Sequence, residues 1–140
     1  MRRGARLPAD IGKRLATLGT ILEREAAVKF AYVFGGAARG ELRPLSDVDV
    51  AVYLDDVVDP VRAPVDVIGA VTKHLGTDEL DLVVLNRAPT ALLGRILQSR
   101  KVIVDKEPFL RHRFESLALR MFLDFRLFEP RFLDARFARG

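Results

Sequence analysis

Apolar positions recur with two distinct periods along this chain. In residues 8–25, Ile11, Leu15, Leu18 and Leu22 step by four, three and four, which predicts a helix with one apolar stripe. Residues 29–34 (KFAYVF) form a short apolar and aromatic run that ends at Gly35, the mark of a strand. Residues 37–41 suit a helical turn. Pro44 disfavours helix at Arg43, so residues 43–46 read as a loop. Residues 48–54 alternate, with Val48, Val50 and Val52 on one side and Asp47, Asp49 and Ala51 on the other.

Residues 64–75 predict a second long helix, with Pro64 in its first turn and Ile68, Val71 and Leu75 facing inward. Residues 80–85 (LDLVVL) predict a third strand, 89–97 a short helix and 102–104 a brief strand. From residue 107 the pattern is helical again. Leu110, Phe114, Leu117, Met121, Phe125, Phe128 and Phe132 step by three or four, and Pro130 should kink or end that helix near Phe128. This order predicts an α/β (α+β) fold: a small mixed sheet flanked by helices, with a C-terminal amphipathic helix. At 140 residues it reads as one domain, 1–140, in which 109–140 form a helical tail.

The chemistry begins with a question that the alternation raises. Asp47 and Asp49 project from the same face of a strand-like segment, about 7 Å apart along the backbone. Nearby carboxylates repel, which raises the proton affinity of one of them. A divalent cation removes that conflict, and magnesium commonly takes one or two carboxylates together with substrate phosphates. Paired metals clamp the attacking and leaving oxygens of phosphoryl or nucleotidyl transfer. Asp81 is a lone charge within an apolar run and needs a partner. If the third strand lies beside the second, Asp81 joins the same centre, suited to act as a base toward an acceptor hydroxyl.

Gly35 and Gly36 close the first strand. Glycine permits tight geometry and close approach of a phosphate to main-chain N–H groups. Arg39 lies on the following turn and offers a forked set of donors to a triphosphate. Ser46 precedes the aspartates and is placed to cap the loop or to bind phosphate. Each feature alone has a plainer meaning. A glycine pair after a strand is usually a turn, S-D-x-D is more often an exposed strand edge, and Asp81 alone suits a solvated edge equally well. His74 and His112 have no partner at ligand or triad spacing and read as structural. The combination is far rarer than its parts.

Composition narrows the classes further. Hydrophobic residues make up 49% and charged residues 30%, enough for a sizeable core, and disorder is not expected. The absence of cysteine excludes disulfides and cysteine-based zinc sites and is compatible with a cytoplasmic protein. No apolar run approaches a membrane span, and MRRGARLPAD has no apolar core behind its arginines, so no secretory leader is expected. The net charge of +4 favours anionic partners, nucleotides among them. There is no GxxxxGK[ST], which argues against a P-loop.

The stretch FGGAARGELRPLSDVDVAV resembles the signature of the nucleotidyltransferase superfamily typified by DNA polymerase beta. That signature is glycine followed by glycine or serine, a spacer, then Asp-x-Asp; here Gly36 to Asp47 is a step of eleven residues. More closely, it is similar to the minimal nucleotidyltransferases, the MNT-type antitoxins encoded beside HEPN toxins, which often read FGSxARGxxxxxSDxDxxV. Gly36 stands where these usually carry serine, while other branches have Gly-Gly there. The resemblance implies the nucleotidyltransferase fold, Mg²⁺ held by Asp47 and Asp49 with Asp81 as third carboxylate, and ATP as donor. It also implies a phosphate loop at Gly35 and Gly36, and a HEPN ribonuclease partner, in some relatives neutralised by transfer of AMP to a tyrosine hydroxyl.

Two other functions remain open on the sequence. One is a non-catalytic antitoxin that inhibits its partner by binding alone. The other is a small-molecule nucleotidyltransferase of the aminoglycoside-modifying kind, which generally carries an additional substrate domain. Little chain remains here to build one, and the same shortness weakens a nucleic-acid-binding reading. The stripe in the tail reads first as core packing. Its distal part, FEPRFLDARF, flanked by arginines, suits docking to a partner helix.

Overall fold

A register shift near the start of the first strand decides which residues face which layer. The computed structural model describes residues 6–127. β1 (Val28–Phe34) pairs antiparallel with β2 (Val48–Leu54), and the register slips between Val28 and Phe30. The extra residue puts Val28, Ala31 and Val33 on one face and Phe30 and Tyr32 on the other. β3 (Leu80–Val84) runs parallel to β2, and β4 (Lys101–Asp105) antiparallel to β1, so the order is β3-β2-β1-β4. The expected mixed sheet is therefore present.

One face is covered by α1 (Ile11–Ala16), α2 (Leu18–Glu23) and α4 (Arg62–Leu75). Leu18 and Leu22 meet Val48, Val50 and Val52 there, with Val67, Val71 and Leu75 of α4. All eight are fully buried, and each contributes roughly 1.5–3 kcal/mol on area grounds. The opposite face carries Phe30, Tyr32 and Ala51 under α5 (Thr90–Ser99) and α6 (Pro108–Leu127). Between the two strands that carry the aspartates, β2 and β3, the chain crosses through α4.

Several expectations are corrected. The single helix over 8–25 is two helices, because Thr17 leaves helical geometry at φ −107°, ψ 1°. Its hydroxyl donates to the Arg14 carbonyl and lies 2.9 Å from His74 Nε2, which ties the break to α4. In α4 the inward position is Val67 rather than Ile68, which is 41% exposed. A 3₁₀ turn at Leu85–Arg87 ends β3 one residue early, and the short helical turn begins earlier than expected, as α3 (Gly35–Arg39).

The largest correction concerns α6. Leu117, Met121 and Phe125 do not line the core; they are 54%, 42% and 49% exposed. The helix packs instead through Leu110, Phe114 and Ala118, with Phe122 against Gly94 of α5. A Cβ at Gly94 would strike the Phe122 ring, so only glycine allows this crossing. Period alone cannot tell which of two adjacent apolar stripes faces inward. The ending of this helix, with Phe128, Pro130, Phe132 and the segment FEPRFLDARF, lies outside the described residues. Among the described residues, no helix is long and apolar enough to cross a membrane.

Charge decides the orientation of α6. Glu115 accepts from the Tyr32 hydroxyl at 2.7 Å, from Arg100 Nε at 2.8 Å and from Arg111 at 3.0 Å. Arg111 also pairs with Asp105 at 3.0 Å. Burial opposes the charge of Glu115, but the bonds from Arg100 and Tyr32 outweigh it and hold the carboxyl below its ordinary range. Burial, then the bond to Glu115, pushes the Tyr32 phenol up. Phe114 packs against Phe30 and Tyr53 at 5.6 and 5.3 Å between ring centroids. Glu115→Ala would leave two guanidinium groups and a phenol without their shared acceptor. We expect a loss of about 3 kcal/mol, read from the urea midpoint.

Candidate active site

The sequence places a glycine where β1 must turn sharply. Gly35 has φ +61°, a left-handed conformation that a side chain disfavours. A Cβ there would also come within 2.6 Å of Asp49 Oδ2. The register explains the proximity: Phe34 is paired with Asp49 across β1 and β2. Gly36 is less confined, since an added Cβ finds nothing closer than 3.8 Å. The serine usual at that position in the resembling proteins would therefore fit here.

On its other side, Asp49 is in parallel register with Asp81 of β3. Asp47 is exposed just before β2 begins. The Asp49 carboxyl is pushed above its ordinary range, first by burial, then by the charges of Asp81 and Asp47; Arg39 and Arg95 oppose this. Both other carboxylates predicted from sequence thus act on Asp49. Among the described residues, no three carboxylate or imidazole groups are gathered closely enough to hold a metal ion by themselves. The donor set still suits a hard divalent cation. Magnesium needs few protein carboxylates when phosphate oxygens complete its shell, and a half-buried Asp49 repelled by two neighbours is what a cation would relieve.

Gly35, Gly36, Arg39 and Asp49 open onto a cleft of about 580 Å³, which Phe34 also lines. Its far wall is α5, through Leu92, Arg95, Gln98 and Ser99. The Gly35 N–H donates to Ser99 Oγ at 3.1 Å. Sheet register brings these together. Val33 pairs with Lys101, so the residue two places beyond one meets the residue two places before the other. The other expected contributors are placed differently: Asp47 and Asp81 flank Asp49 without lining the cleft. Ser46 does not line the cleft; its hydroxyl accepts the Arg43 N–H at 3.1 Å and shapes the loop. Arg39 lines the cleft, but its Nε is already bonded to Glu41 Oε2 at 2.9 Å. The α5 residues were missed because nothing in TALLGRILQS marks it as a site; only its position against β1 does.

The sequence profile of the polymerase beta nucleotidyltransferase family matches residues 16–109, well over half of the chain. The chain belongs to this family. No curated protein sequence matches it closely enough to add to that assignment. Solved structures share the nucleotidyltransferase fold at low identity. A toxin–antitoxin crystal structure with AMP-PNP contains a chain 21% identical, with a TM-score of 0.67 over 90% of this chain and 98% of that one. A tri-AMPylated Shewanella oneidensis HEPN toxin in complex with its MNT antitoxin matches at 19% identity, TM-score 0.65, over 91% and 98%. A MntA–HepT toxin–antitoxin structure matches at 20% and 0.61, over 91% and 97%.

For a polymerase beta-type nucleotidyltransferase these contacts make two predictions. Gly35→Ala should cost about 1–2 kcal/mol through the left-handed backbone and displace Asp49, whereas Gly36→Ser should stay within about 0.5 kcal/mol in urea titrations. The second concerns pH. Asp49 holds its proton to higher pH folded than unfolded, so folding loses stability as pH rises above the ordinary value of 3.8. Asp49→Asn removes that penalty. Its melting temperature should exceed that of the wild type by roughly 1–3 °C at neutral pH, and the gain should vanish as pH is lowered to 3.8 and below.

Proposed function

We propose that this chain is an MNT-type antitoxin. It transfers AMP from ATP to a hydroxyl, on a tyrosine, of a cognate HEPN ribonuclease toxin and thereby neutralises it. The observation that carries this reading is the meeting of the Gly35–Gly36 turn, Asp49 and Arg39 at one cleft, with Asp81 in register beside Asp49 on the neighbouring strand. The neighbours support the choice of nucleotide and partner, since one was solved with AMP-PNP and another holds a tri-AMPylated HEPN toxin. Such a pair would work together in the cytoplasm.

In this reading Asp47 and Asp49, with Asp81 beside them, would hold Mg²⁺, which when bound would supply charge neutralisation at the transferring phosphoryl group. The glycine turn admits the phosphates close to the main chain, while Phe34 and Leu92 offer an apolar surface to the base. Asp81, exposed at the start of β3, orients the acceptor hydroxyl and takes its proton. The hydroxyl oxygen bonds to the α-phosphorus, the bond from that phosphorus to the bridging oxygen breaks, and pyrophosphate leaves. With Asp47→Asn and Asp49→Asn combined, the mass increment of one or more AMP groups on the partner should fall at least a hundredfold. Equal modification by the double variant would remove the catalytic assignment.

One observation favours a second reading, inhibition by binding alone. The outward side of α6 exposes Leu117, Met121, Leu123 and Phe125, an unusual run of apolar residues. Toxin neutralisation that persists in cells carrying the double aspartate variant would favour it.

A further inference from the structure

We propose that Arg95, on α5, binds the polyphosphate tail of the nucleotide and is the principal cation for it; this rests on the nucleotide-site reading above. Two arginines line the cleft, Arg39 and Arg95. Arg39 Nε is already bonded to Glu41 Oε2 in an exposed pair. The Arg95 side chain makes no hydrogen bond and no ion pair with any of the described residues, and yet it faces the cleft in the field of Asp49. A guanidinium left without a bonded carboxylate, across the cleft from Asp49, is placed for an anion that arrives with its own counter-charge.

One donor of the glycine turn is already used. The Gly35 N–H, which would otherwise point at a phosphate, is held by Ser99 Oγ. A triphosphate entering between Gly36 and α5 would meet a cation on the α5 side, Arg95. Arg95 is well anchored for this. Its helix buries Leu93 and Ile96 on either side of it, and Gly94 is locked against Phe122. Leu92, Arg95 and Ser99 are spaced three and four apart and so share the face that lines the cleft. Only the guanidinium end remains to be ordered on binding, and its forked donors match phosphate oxygens.

Equilibrium binding of AMP-PNP, ADP and AMP to the full chain, without partner, tests this in wild type, Arg95→Ala, Arg95→Lys and Arg39→Ala. Arg95 is exposed, and thermal melts of each variant verify that the fold is kept. Arg95→Ala should weaken AMP-PNP about tenfold and AMP less than about twofold, with Arg95→Lys in between and Arg39→Ala milder than Arg95→Ala. AMP-PNP bound as tightly by Arg95→Ala as by wild type would overturn the assignment of Arg95 alone. Equal losses for AMP and AMP-PNP would also overturn it, because the contact would then not be with the tail. A wild-type chain that binds none of the three would overturn the nucleotide reading and this inference with it.

Discussion

The site depends on one contact between backbone and carboxylate. β1 ends in a left-handed glycine whose missing Cβ leaves room for the side chain of Asp49. The antiparallel pairing of Phe34 with Asp49 forces the two together. Any side chain at Gly35 would push the carboxylate out of place, and a one-residue change of register would carry Asp49 to the other face of the sheet. The close approach and the half-buried charge share one cause. Burial of Asp49 beside Asp81 and Asp47 keeps a repulsion in the folded chain that a bound cation would relieve.

The rest of the fold holds that contact still. The two faces of the sheet have separate tasks. Branched aliphatic residues fill the side under α1, α2 and α4, a packing that needs no polar partners. The side under α5 and α6 mixes aromatic stacking with the buried Glu115 cluster. Such a cluster contributes less to net stability than its bond count suggests, because its charges were hydrated before folding. Its geometry is specific, however: Glu115 meets Tyr32 and Arg100 at one oxygen, which sets the rotation of α6 about its axis. Arg100 follows Ser99, so adjacent residues touch α6 and the glycine turn.

Where the periodicity was strong and the neighbours local, the elements were legible. β2 was read to the residue, and β1, β3 and β4 to within a residue at either end. Failures have physical causes. Thr17 interrupts a good helical stripe because its hydroxyl satisfies a backbone carbonyl and reaches His74, fifty-seven residues away. In α6 two apolar stripes compete, and the buried one is chosen by Phe30, Tyr32 and Tyr53 across the interface.

The amino-acid order by itself determined the turn and the carboxylates. Glycine pairs, alternation and Asp-x-Asp are local properties, set by φ preference and by the period of a strand. That order also carried the family, since its motif lies in one contiguous stretch. Tertiary structure alone decided which side chains share the cleft with that motif. Arg95 and Ser99 are roughly sixty residues from Gly35 along the chain, and the pairing of β4 with β1 brings them to it. The contacts of Arg39 with Glu41 and of Ser46 with Arg43 are local, two and three residues apart. Contacts between elements far apart in the chain depend on how those elements pack, which residue spacing does not specify.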